Sequence, residues 1–278
     1  MFILIGLLAF MFCDSSWALP SHRRLWEQKY GYKTSCTLCH SKGGGSQLNP
    51  YGEDFQRFGM TPAAFVSIEN RDSDKNGFTN IEKIRAKSNP GDPFSTPTNP
   101  GDWLSRIEES MIPMDELKKI FSEVNKFSLL EGTLFPDQTK GIETKLGQKL
   151  SEADSVPTFY FAVKDQNDKL IRIGVAIFST STQNPDKLIV GIGVDLSGKI
   201  TSVILIKNKL SESLNNLKFL SQFKDKNLDS AFQINKDIQP ATAQSVNEST
   251  EVVEIVKKSL LIIAAVFNKD KKDIKPQK

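Results

Sequence analysis

Leu188-Ile189-Val190-Gly191-Ile192-Gly193-Val194 is followed, across the turn Ser197-Gly198-Lys199, by Ile200-Thr201-Ser202-Val203-Ile204-Leu205-Ile206. Two short apolar runs rich in β-branched residues, joined by a glycine turn, predict a β-hairpin. Thr158 to Val163 and Leu170 to Phe178 are further runs of the same kind. Helical periodicity stands on either side of them, at Met114 to Phe121, Gly141 to Leu150, Leu214 to Phe223 and Glu248 to Phe267. The sum predicts an α+β domain over 109–267 with a mostly antiparallel sheet.

Upstream the character changes. Asn89 to Pro100 carries Pro90, Pro93, Pro97 and Pro100 among Gly, Ser, Thr and Asn. Such composition predicts a stiff, exposed linker, placed over 94–108, with a domain boundary near residue 100. The segment before it holds Cys36-Thr37-Leu38-Cys39-His40. Cys-x-x-Cys-His is the attachment signature of c-type haem. Two thiols three residues apart on a helical turn can add to the two vinyl groups on one porphyrin edge, and the next residue, His40, then falls under the iron as proximal ligand. A zinc site needs more Cys or His ligands, and the chain has three Cys and two His in all. A thioredoxin-like redox loop needs a βαβ setting, whereas Gly43-Gly44-Gly45 follows here. The sixth iron position is left to Met60, in Phe58-Gly59-Met60-Thr61-Pro62, to His22, or to water. A thioether there raises the potential relative to a second histidine.

The N-terminus predicts the compartment. Phe2 to Phe12 is an apolar run too short to span a bilayer, and Ser16-Trp17-Ala18 offers small residues for a signal peptidase. A cleaved signal peptide over 1–18 sends the chain to the periplasm or otherwise out of the cell. Cleavage removes Cys13, so Cys36 and Cys39 remain as the sole cysteines. Lipidation at Cys13 is the weaker reading, because Phe12 is bulky where such sites want a small residue. The net charge of +3 is too small to argue for nucleic acid. The Lys-rich segment 268–278 reads as a solvated basic tail, with peripheral contact to a membrane surface as the lesser reading.

Asp72-Ser73-Asp74-Lys75-Asn76-Gly77-Phe78-Thr79-Asn80-Ile81-Glu82-Lys83 has the pattern of an EF-hand-like calcium loop. Asp72, Asp74, Asn76 and Asn80 supply side-chain oxygens, Phe78 its carbonyl, and Glu82 the closing carboxylate. Position 12 is Lys83, so the acid arrives one residue early. The competing reading is a polar turn whose Asx side chains cap their own backbone with no ion.

Two stretches carry family resemblances. Leu48-Asn49-Pro50-Tyr51-Gly52-Glu53-Asp54-Phe55 resembles the segment after the haem site of small bacterial mono-haem domains. The order of elements over about 110–267, with Val190 to Asp195, Phe219 to Lys226 and Ala241-Thr242-Ala243-Gln244-Ser245, resembles the FMN-binding domain of flavin subunits in Rnf- and Nqr-type redox complexes. That resemblance implies covalent FMN at Thr242. The motif departs at Gln239-Pro240, where the family has Ser or Thr and then Gly; a proline removes an N–H that can reach a phosphate. The expected molecule is therefore a small α-helical c-type cytochrome domain with a calcium loop over 19–93, followed by an FMN-binding-like domain. The expectation leans toward an electron carrier between redox partner proteins over a substrate-converting enzyme, with the enzyme question left open. The alternative keeps the haem and makes the flavin-type fold an empty docking or scaffolding module.

Overall fold

The computed structural model describes residues 19–267, apart from 45, 106, 108–110, 167 and 168; the expected signal segment, with Cys13, and the basic tail lie outside the described residues. Five strands form one sheet: β1 (Lys126–Glu131), β2 (Thr158–Gln166), β3 (Lys169–Thr180), β4 (Leu188–Asp195) and β5 (Ile200–Asn208). They run in sequence order and every neighbouring pair is antiparallel. The β4–β5 turn closes because Gly198 takes φ 81° and the Asp195 carboxylate accepts from Ser197 N at 2.8 Å and Lys199 N at 3.0 Å.

Alternation along the strands gives the sheet two covered faces. Phe159, Phe161, Val175, Ile177, Val190 and Ile192 face the long helix α8 (Val246–Phe267) and α6 (Pro136–Leu146), and the short α7 (Leu217–Ser221) adds Phe219 to the same core. Each fully buried aliphatic or aromatic side chain contributes about 1.5–3 kcal/mol there. α6 lies earlier than the predicted Gly141–Leu150, because Gly147 at φ 74° ends it. Tyr160, Ala162, Ala176, Phe178 and Ile189 face α5 (Met114–Ile120) and Leu19. Gly193 lets α5 come down on the sheet: a Cβ there would lie 2.4 Å from Ile120 Cγ2.

The N-terminal part is a cluster of short helices: α1 (Pro20–Tyr30), α2 (Pro50–Arg57), α3 (Pro62–Ser67) and α4 (Asn80–Arg85). They close around Trp26, Tyr51, Phe55, Phe65, Ile68 and Ile84. Phe55 and Phe65 stack at 4.4 Å, and Trp26 Nε1 donates to Tyr51 Oη at 3.1 Å. α1 is seated on the sheet edge. Arg23 pairs with Glu27 and with Glu131 of β1, and Arg24 donates to the Gly132 carbonyl and to Thr133 Oγ1.

The expected linker over 94–108 is exposed at Phe94, Thr98 and Asn99 and pinned at Ser95 and Trp103. Asn89 and Ser95 are buried, Asn89 N donates to Ser95 Oγ at 2.8 Å, Ser95 Oγ donates to the Pro100 carbonyl at 2.7 Å, and Trp103 Nε1 reaches the Lys87 carbonyl at 2.9 Å.

The predicted fold class is therefore corrected. The chain is α+β with one five-stranded antiparallel sheet. Among the described residues no group of three or more His, Cys, Asp or Glu is arranged to hold a metal ion. The expected cytochrome domain closed by a calcium loop is thus not the fold observed.

The physical reason for the missing calcium site is a lysine. The Lys83 ammonium is buried against the Asp74 carboxylate and donates to the Asp92 carbonyl at 2.8 Å. The other expected ligands are occupied as caps. Asp72 accepts from Asn76 N and Gly77 N, Asn76 accepts from Phe78 N, and Asn80 Nδ2 donates to the Ile68 carbonyl. Glu82 closes a capping box with Thr79 at the start of α4. Phe78 is half-buried and belongs to that turn.

Candidate functional site

Cys36–Leu38 forms a single 3-10 turn, capped by the Ser35 hydroxyl, which accepts from Thr37 N at 3.2 Å. Cys39 N and His40 N both return to the Cys36 carbonyl, at 3.2 and 3.0 Å. The turn brings the two cysteines and the histidine together as the spacing predicts. No disulfide joins the two cysteines: Cys36 is half-buried and Cys39 buried. Burial pushes the Cys39 thiol well above the ordinary cysteine range, with Cys36 adding to the effect. A nucleophilic redox cysteine needs the opposite shift.

His40 is buried, and its Nδ1 lies 2.5 Å from the Ser46 carbonyl. A carbonyl accepts only, so Nδ1 carries the proton and the lone pair belongs to Nε2. This is the arrangement by which a metal-bound histidine is usually oriented. The glycine-rich loop after the motif closes it: Ser41 N donates to the Gln47 carbonyl at 2.9 Å, and His40 bridges to Leu48.

Two asparagines fix the turn from behind. Asn49 Nδ2 donates to the carbonyls of Thr37 and Leu38, at 2.9 and 3.0 Å, while its Oδ1 caps α2 through Gly52 N at 3.0 Å. Asn89 Nδ2 reaches the Thr37 carbonyl at 3.0 Å from the segment read as a linker. Gly52 and Gly91 are required by closeness. A Cβ at Gly52 would lie 2.2 Å from the Cys39 carbonyl oxygen, and one at Gly91 2.3 Å from the Asn49 side chain. Asn49 stood in the quoted Leu48–Phe55 stretch. Asn89 and Ser46 left no local signal, since each acts through a contact the chain makes only when folded.

Cys36, Cys39 and His40 line one cleft of about 340 Å³, open solvent at its mouth included, together with His22, Leu38 and Phe65. Both histidines of the chain therefore open onto the same space as both thiols. Met60 is elsewhere: it is buried in the core with Phe55 and Phe65, has φ 54°, and does not line the cleft. His22 is buried, packs edge-on against Phe55 at 5.4 Å between ring centres, and has no hydrogen-bond partner at Nδ1. Burial, offset in part by Asp154, lowers its pKa to about 4, so it is neutral at pH 7.

Thr242 is exposed just before α8, with its Oγ1 2.9 Å from Ser245 Oγ and its N donating to the same hydroxyl. A larger apolar cleft of about 770 Å³ lies against Phe161, Gly174, Leu228 and Phe267, where the Arg172 guanidinium sits 4.2 Å from the Phe161 ring centre. Thr242 is not among its lining residues. The long helix α8 is buried in the core through Val252, Val256, Leu260 and Ile263, and among the described residues no helix is long and apolar enough to cross a membrane. Comparison with protein-family models, curated proteins and solved structures finds no match in any of the three.

Proposed function

We propose that this is an exported one-electron carrier with a single haem held covalently through Cys36 and Cys39 and bound at iron by His40. The observation that carries the reading is the shared cleft: two thiols and an imidazole with an assigned tautomer meet in one apolar space. The donor set suits the group. A half-buried thiol, and a buried one whose pKa burial pushes up, accord with apolar thioethers. Cys36 and Cys39 would hold the haem through addition of each S–H across a vinyl double bond, sulfur to one carbon and hydrogen to the other, so no oxidant would be consumed. His22 Nδ1, buried and unpartnered, is an orphaned polar atom in the same place.

When bound, the haem supplies a reversible one-electron couple. The chain's own residues do the rest. Ser46 holds the proton on His40 Nδ1, Asn49 and Asn89 keep the cysteine turn from opening, and Leu38 and Phe65 exclude water. The sheet acts as the platform for α1, through Arg23 to Glu131 and Arg24 to Gly132. Redox partner proteins, met outside the cell, are the implied donors and acceptors.

The test is expression of the full chain in a host with a c-type haem maturation system. Peroxidase staining on a denaturing gel, with a pyridine haemochrome spectrum, should report one haem in the native chain and none in Cys36→Ser/Cys39→Ser. A native chain exported without haem sinks the reading.

A further inference from the structure

We propose that His22, with His40, would hold the iron of the haem, so that two imidazoles of this chain would ligate it. The inference rests on the haem reading above and deepens it.

Three observations carry it. First, His22 lines the same cleft as Cys36, Cys39 and His40, whereas Met60 does not. Second, His22 is 5% exposed and its Nδ1 has no hydrogen-bond partner. A buried imidazole nitrogen left without a partner is unfavourable, and native structures rarely leave one without a reason. Metal coordination by this ring is such a reason in a cleft that two thiols and a second imidazole also line. Third, the ring is held in place without the haem. Its backbone N donates to the Leu19 carbonyl at 3.0 Å, Phe55 meets it edge-on, and the next two residues, Arg23 and Arg24, anchor α1 to the sheet. Met60 has no comparable claim: its backbone is bonded to the Phe55 carbonyl at 3.1 Å and its side chain fills the helical core.

Two imidazole ligands give a low-spin iron with no open coordination position. That favours electron exchange over the binding of a small molecule at iron, and sets a lower potential than a His and Met pair. Because His22 sits on α1, the ligand is carried by the helix that docks on the sheet, which gives the sheet a part in fixing the iron site.

The experiment uses the full haem-loaded protein. The native ferric form should be low-spin by electron paramagnetic resonance, without the far-red methionine-to-iron band. His22→Ala should keep its covalent haem by pyridine haemochrome but become high-spin, bind carbon monoxide when reduced, and return to low spin on adding imidazole. Met60→Leu should leave the spectrum unchanged. If His22→Ala does not accumulate, His22→Met takes its place and should raise the potential; an unchanged potential overturns the proposal. A high-spin native protein, a methionine band abolished in Met60→Leu, or a His22→Ala spectrum that stays low-spin also overturns it while leaving the covalent haem standing. A native chain with no haem overturns both.

Discussion

The ammonium of Lys83 is buried against the carboxylate of Asp74, in the loop where the sequence pattern places a calcium ion. One fixed cation on a side chain does locally what the ion was expected to do: it neutralises Asp74 and gathers the Asp92 carbonyl. Removing one partner of a buried pair leaves an uncompensated charge, so Lys83→Ala should lower stability by about 3–5 kcal/mol. Denaturant unfolding measures it. The same pairing predicts that millimolar calcium or a chelator leaves the native melting temperature unchanged, and a calcium-dependent rise would contradict it.

Asn49 and Asn89 converge on the Thr37 carbonyl from opposite ends of the N-terminal segment. Asn89→Ala removes one of two donors to a turn that cannot rebond within itself. It should cost about 1–3 kcal/mol and reduce the yield of haem-loaded protein relative to total protein. Asn49→Ala should cost more, since it also removes the cap of α2. Parallel melts of the two variants check the order.

Gly52 sits where a Cβ would meet the Cys39 carbonyl oxygen at 2.2 Å, a backbone atom that cannot swing aside. Gly52→Ala should therefore displace the cysteine turn and abolish haem loading. Gly59→Ala is the informative contrast. Its Cβ meets nothing within 4 Å, and the strain comes only from φ 93°. It should destabilise by about 1 kcal/mol and still load haem.

Asp237 lies in the turn before Thr242. Burial alone would raise its pKa, but donors at Gln233 N (2.8 Å), Lys226 Nζ (3.1 Å) and Phe232 N (3.2 Å) outweigh it and hold the carboxyl below the ordinary range. The folded state thus binds this proton less readily than the unfolded chain. Its contribution is complete above the unfolded pKa and is lost as pH falls through the folded one. Asp237→Asn should be less stable at neutral pH and show a shallower acid limb below about pH 4. An acid limb identical to that of the native chain would contradict the assignment.

Much of the sheet was legible in the sequence because β2 to β5 are buried on at least one face and so consist of unbroken or alternating apolar runs, closed by a glycine turn. β1 escaped because it is an edge strand with alternate residues exposed and polar ends, Lys126 and Glu131. The calcium loop misled for a physical reason. Gly77 at φ 92° and the Asx caps are the same devices an ion-binding loop uses, and only the charge at Lys83 tells the two apart. Burial at Asn89, Pro90, Gly91 and Ser95 was not legible, because prolines and small polar residues suit a hydrogen-bonded turn as well as an exposed spacer. Within the site, Cys36, Cys39 and His40 were legible from spacing alone. That His22 rather than Met60 opens onto their cleft depends on how α1 crosses α3, which no local pattern encodes.

The central claim is the covalent haem, and intact-protein mass spectrometry of the exported chain tests it most directly. The account predicts the polypeptide mass plus one haem, surviving acid and organic extraction, and the bare polypeptide mass in Cys36→Ser/Cys39→Ser. A native chain recovered at its bare mass, or with Cys36 and Cys39 joined as a disulfide, from cells that load a control c-type cytochrome would contradict it.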